Sequence, residues 1–149
     1  MPDKETIQRV KRDKAQGKSP STQAGEFVRE EIEHIREGQH GARSAKQAIA
    51  IGLSKARRAG IDLKVPRKGT VSEKTRRSAI LASRKGKKHE PISKKRSEAS
   101  EKALKREGNQ SVSHLALSRQ AHAAARKRSA SDRYASARSA ARTKKAASK

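Results

Sequence analysis

The sequence predicts a mainly α-helical protein with extensive disorder, a short helical hairpin followed by a polycationic tail of Ala, Lys, Arg and Ser. Three observations carry this. Leu, Ile, Val and Phe number 20 of 149 residues, and 24 of the 46 apolar residues are alanine. Highly charged chains with less than roughly 20% large aliphatics usually stay unfolded. Ordering a residue costs about 1–2 kcal/mol, which excludes one large core over this length. Second, the net charge of +24 is uneven: residues 1–62 carry 13 basic and 9 acidic side chains, residues 63–149 carry 26 and 6. Third, Phe27, Val28, Ile32, Ile35, Ile49, Ile51, Leu53, Ile61 and Leu63 fall in one 37-residue window. The chain divides into a flexible segment 1–23, a hairpin 24–62 and a basic, largely disordered tail 63–149 with transient helices.

In the first segment, Gln16 to Thr22 is a cluster of helix breakers. A first helix is predicted from Ala24 to Glu37, because Val28, Ile32 and Ile35 recur at helical spacing beside Phe27. Glu26, Glu30, Glu31 and Glu33 crowd its first turns, where carboxylates suit the helix dipole. Gly38 to Gly41 ends it. In the second helix, Ser44 and Gln47 fit a capping box. Ala45, Ala48, Ile49, Gly52, Leu53 and Ala56 form one stripe, small enough for the first helix to approach closely. Gly60 closes that helix. Ile51 falls on the opposite, basic face, either exposed there or covered by Ile61 and Leu63 folding back. In the tail, Thr70 to Glu73 caps a helix running to Ser83, Gly86 to Pro91 interrupts it, and a charged helical stretch over 93–107 breaks at Gly108-Asn109.

Catalysis is not expected. His34, His40, His89, His114 and His122 are scattered, without a metal-ligand spacing to carboxylates, and His34 reads as a solvated side chain beside Glu33 and Glu37. No HExxH, GxGxxG or P-loop pattern occurs. General acid–base chemistry needs a dry pocket that this composition does not readily build. No cofactor and no metal are predicted. Cysteine is absent, so neither a disulfide nor a thiolate site forms. With no apolar leader at Met1 to Glu5 and no run of about 20 apolar residues, the expected location is cytoplasmic.

The cations carry the functional signal. On the hairpin they are Arg43, Lys46, Lys55, Arg57 and Arg58. In the tail they are Arg76, Arg77, Lys87, Lys88, Lys94, Lys95, Arg96, Arg126, Lys127 and Arg128. Each one that neutralises a phosphate releases counterions, so polyanions bind without base readout. Single-stranded binding generally needs aromatic platforms, and Phe27 and Tyr134 are the only aromatics, which favours double-stranded DNA. RNA is the alternative. Membranes are disfavoured, since the basic segments lack an apolar face to insert. A helix-turn-helix with residues 44–59 as recognition helix is opposed by the acidic first helix, which repels phosphates. That helix would instead pair with the tail or with a second copy, giving self-association through residues 24–60.

The stretch His40 to Gly60, with Lys46-Gln47-Ala48-Ile49-Ala50-Ile51-Gly52-Leu53-Ser54 at its centre, resembles a family of small basic bacterial proteins variously labelled DNA-binding or plasmid stabilisation proteins. Ala116 to Ala121 and the Ala–Arg-Lys-Arg-Ser run after it are similar to the same family. The tail is also similar in composition to bacterial linker-histone-like proteins. The resemblance implies DNA binding and brings no catalytic residue. Three roles follow as expectations: a nucleoid or plasmid-maintenance DNA-binding protein, a structured-RNA or ribosome-associated protein, and a protein-interaction module with a localising tail.

Overall fold

The computed structural model describes residues 2–148. In chain order it contains α1 (Lys4–Ala15), α2 (Pro20–Arg36), α3 (Ala45–Arg58), α4 (Glu73–Lys87), α5 (Lys94–Leu104), a 3₁₀ turn (Gln110–Val112), α6 (His114–Arg126) and α7 (Ala130–Ala147). Among the described residues no strand forms, and none of the helices is long and apolar enough to cross a membrane. The mainly α class holds. The segments that composition assigns to disorder are helical: α1 occupies the segment read as flexible, and α4 to α7 occupy the tail.

The serines explain part of that difference. Ser19, Ser44, Ser72, Ser113 and Ser129 each stand at a helix N-cap, where the hydroxyl accepts from the backbone amide three residues on. A residue type counted toward disorder therefore starts five of the seven α-helices, each cap contributing about 1 kcal/mol. Helix α2 accordingly begins at Pro20, a residue with no amide to satisfy, rather than at Ala24, and no glutamate lies in its first turn. At the other end Gly38 takes φ +75°. Its amide donates to the Ile35 carbonyl and that of Gln39 to the His34 carbonyl, a glycine-closed turn that folds the chain back over α2. The Ser44 cap on α3 departs slightly from the capping box: Gln47 Oε1 accepts from the amide of Arg43, at 2.7 Å, rather than from that of Ser44.

Helices α2 and α3 form the predicted hairpin, with α1 against α2 and α4 against α3. The stripe of small residues performs as expected: a Cβ built on Gly52 would lie 2.6 Å from the Val28 Cα. Gly52→Ala should therefore destabilise the protein by about 1–3 kcal/mol despite the better helix propensity of alanine, which urea unfolding would register.

Two small cores result. Val10, Ala24, Phe27 and Ala56 make the first, with Ile7, Leu53, Ile61 and Leu63 packed on it. Ile35, Ala42, Ala48 and Val112 make the second, with Ile32 beside them. Each draws on a segment outside residues 24–62. Val10 comes from α1, Leu63 follows the hairpin, and Val112 arrives from 50 residues beyond it, where Arg36 donates from Nε and Nη2 to its carbonyl at 3.3 and 3.2 Å. Gly86 lies directly on the Arg57 backbone, with no space for a side chain, so α4 runs through this glycine to Lys87 instead of stopping at Ser83. Helices α5 and α7 bury no residue. In α5 a 2.8 Å contact from Lys105 to Glu101 holds that carboxyl below its ordinary value.

Candidate functional site

The cations singled out in sequence separate into three groups. Lys94, Lys95 and Arg96 on α5, and Arg126, Lys127 and Arg128 at the end of α6, are exposed. So are Arg77, Lys87 and Lys88, although Lys87 lies 3.5 Å from Asp62. Arg58 and Arg76 are half-buried. The other hairpin cations divide by their position around α3.

Arg43 and Lys46 flank the N-terminus of α3 and are exposed. They line a groove against α6 together with Ser111, Arg119 and Gln120. Arg43 is 3.4 Å from Glu107, also on the groove wall. Arg119 carries no signal in the sequence, because it joins these cations only after the 3₁₀ turn docks α6 beside α3.

Lys55 and Arg57 are not on a basic outer face, which corrects the sequence reading. Arg57 is buried against α4 and donates to the Lys64 carbonyl at 3.4 Å. Burial pushes its guanidinium below the ordinary value, and Nε makes no hydrogen bond. Lys55 points at α2, with Nζ 2.7 Å from Glu31 Oε2 and 3.4 Å from Glu30 Oε1. Both glutamates are buried, at 1% and 0% exposure. Phe27, Glu31 and Ile35 recur every four residues, so the stripe that buries the aromatic ring also buries a carboxylate. The acidic helix is therefore not a solvated face that repels phosphate. Its charges are answered inside the chain, by Lys55 and by Arg9 of α1, whose Nε donates to Glu26 at 2.7 Å.

Around the glutamates the fold assembles a polar corner. Glu30 Oε2 accepts from the Asp3 amide at 3.0 Å. His34 Nε2 lies 3.0 Å from Asp3 Oδ2. Past the Gly38 turn, His40 Nε2 comes to 3.4 Å from Glu31 Oε1, while its Nδ1 is 3.1 Å from the Gly41 carbonyl. The His34 and His40 rings stand edge to face, 6.5 Å apart, and both side chains are largely covered. The His34 side chain is thus not solvated, contrary to what its flanking glutamates imply. Glu31, His34 and His40 are the residues that could hold a metal ion, their ligand atoms lying within 4.8 Å of one another; Asp3, Glu30 and His34 form a second such set. The signal in the sequence is Glu31-x-x-His34, which places both side chains on one helix face. His40 gives no such signal, since only the turn geometry returns it.

The apolar faces of the hairpin are covered by α1, α4 and the 3₁₀ turn, and the exposed large apolar residues Val65, Ile80, Leu81, Ile92, Leu115 and Tyr134 all lie outside residues 24–60.

No curated protein and no solved structure matches the chain. Residues 11–69, about two fifths of the chain, match a family of unknown function, DUF6496, and that match takes in α2, α3 and the whole Glu31–His34–His40 corner except Asp3 of the second set.

Proposed function

We propose that this chain is a non-enzymatic DNA-binding protein of the nucleoid-associated or plasmid-maintenance kind, which neutralises duplex phosphates with little sequence preference. The distribution of charge supports this reading. Among the described residues, ten of the fifteen carboxylates stand in ion pairs with Lys or Arg, but only eight of the 38 Lys and Arg side chains do. Most of the acids are answered within the chain, and much of the excess positive charge faces water, with α5, α6 and α7 carrying a large share of it. An exposed array of this kind binds phosphate backbone without base contacts. Its cations are Lys94, Lys95, Arg96, Arg126, Lys127 and Arg128, joined by Arg43, Lys46 and Arg119 along the groove. Lys55 and Arg57 serve the fold instead. The resemblance of residues 40–60 to small basic bacterial proteins labelled DNA-binding points the same way.

Changing Lys94, Lys95, Arg96, Arg126, Lys127 and Arg128 together to glutamate tests it, because none of the six is buried. With fluorescently labelled random duplex DNA, the slope of log K against log salt should fall by about 5, at about 0.9 for each phosphate no longer neutralised. Binding at physiological salt should disappear while the melting temperature holds. Wild-type affinity in this variant would refute the assignment. Tighter binding of the unaltered protein to duplex RNA than to DNA would transfer it to RNA.

A further inference from the structure

We propose that Glu31, His34 and His40 form a binding site for one divalent transition-metal ion, with Zn²⁺ the best match to their chemistry. The inference rests on the buried corner and is independent of the cationic surface. Two imidazoles and a carboxylate suit Zn²⁺ and its neighbours and do not suit Mg²⁺ or Ca²⁺, which take oxygen ligands.

The first observation is Glu31 itself. It is fully buried, and neither carboxylate oxygen makes a hydrogen bond. Lys55 Nζ forms an ion pair with Oε2 at 2.7 Å, so the oxygen left over is Oε1, which has only His40 nearby. Buried polar groups left without partners are costly and uncommon. Glu30, one residue away, has the Asp3 amide on one oxygen and Lys55 on the other, so the shortfall belongs to Glu31.

The second observation is His40. Against the Gly41 carbonyl its Nδ1 must be the donor, which leaves the lone pair of a neutral ring on Nε2. That nitrogen lies 3.4 Å from Glu31 Oε1, a span that one metal ion bonded to both would bridge. An ion bonded to both at about 2.0 Å would see them at an angle of about 115°, close to tetrahedral. The backbone carbonyl on Nδ1 is also the outer contact that orients a metal-bound histidine.

Charge and rigidity agree. Asp3, Glu30 and Glu31 bring three negative charges to this corner and Lys55 brings one positive, so a divalent ion completes neutrality. Glu31 and His34 sit on consecutive turns of α2. The loop bearing His40 is held by the Gly41 amide on the Leu104 carbonyl at 2.9 Å and the Ala42 amide on the Gly108 carbonyl at 3.1 Å. Side-chain exposures of 14% for His34 and 13% for His40 leave an opening for the ion and for water as a fourth ligand. A metal here would fasten the α2–α3 loop to α2 and to the segment arriving from α5.

The test is calorimetric titration of chelator-stripped, tag-free full-length protein with Zn²⁺, followed by visible absorption with Co²⁺. One equivalent should bind, the melting temperature should rise, and Co²⁺ should give the intense bands of a tetrahedral centre. His40→Gln and Glu31→Gln should each weaken binding by more than the roughly 10–100-fold that removal of an outer hydrogen-bond partner costs. His114→Gln and His122→Gln should leave it unchanged. If Glu31→Gln fails to fold, His40→Gln decides, since that side chain lies on a loop. Absence of saturable uptake would overturn the proposal and assign the Glu31–His40 contact to a protonated imidazole. Uptake that survives His40→Gln but disappears with His114 or His122 would overturn it equally.

Discussion

Replacing Lys55 with methionine should destabilise the protein by about 3 kcal/mol. Removing one partner of a buried ion pair usually costs 3–5 kcal/mol, because the other charge is left without compensation. Here two carboxylates are left, Glu30 and Glu31, while the 28% exposure of the Lys55 side chain places the expected loss at the low end. Methionine retains the length and apolar stem of lysine, so the experiment reads the charge rather than a cavity. Urea unfolding of K55M, E31Q and the double variant gives the coupling directly. The double variant should recover part of the loss, because Glu31→Gln removes the stranded charge. A single-variant cost below about 1 kcal/mol would mean that water reaches both glutamates, and the corner would not be a buried polar core.

The second large effect concerns where the chain can be cut. Residues 1–62 end inside the first core, before Leu63, and lack the Val112 side chain that closes the second. They also lack α4, whose Ala79, Ala82 and Gly86 cover α3. At about 1.5–3 kcal/mol for a fully buried side chain such as Val112 and less for the partly buried Leu63, the loss is about 2–4 kcal/mol before α4 is counted. Domain stabilities are only about 5–15 kcal/mol. The fragment 1–62 should therefore show no cooperative thermal transition. A chain ending at Arg128 loses only α7, which buries nothing, and should match the full protein within about 0.5 kcal/mol. Circular dichroism melts of both fragments decide this. A cooperative melt for 1–62 would restore a boundary between hairpin and tail. The expected result also means that contributions of the tail to DNA binding are best measured by changing charges, since truncation at residue 62 would confuse loss of cations with loss of fold.

Much of the hairpin was legible. The Ser44 cap, the Gly38 and Gly60 turns, the small-residue stripe through Gly52 and the core role of Phe27 all follow from local rules about capping, φ and periodicity. In the tail, the cap of α4 around Ser72 and the helical stretch of α5 were legible too, whereas α6 and α7 were not. Composition counts serine and alanine without regard to position, so it missed that Ser113 and Ser129 cap α6 and α7 and that alanines on α4 suffice to pack against another helix. Glu30 and Glu31 were misread because apolarity was the criterion for the inner face, and the pairing of Lys55 with them depends on the rotation of α3 against α2.

By itself the sequence determined the helical class, the hairpin and its turns, the absence of thiol chemistry and the excess of cations. Each is a property of composition or of residues within about four positions of one another. Only the tertiary structure decided which cations face solvent and which are buried. It alone shows that Val112 and Leu63 complete cores begun by α2 and α3, and that His40 meets Glu31 and His34. Those are contacts between distant segments, set by packing and by the need of buried charges for partners, and local spacing does not encode them.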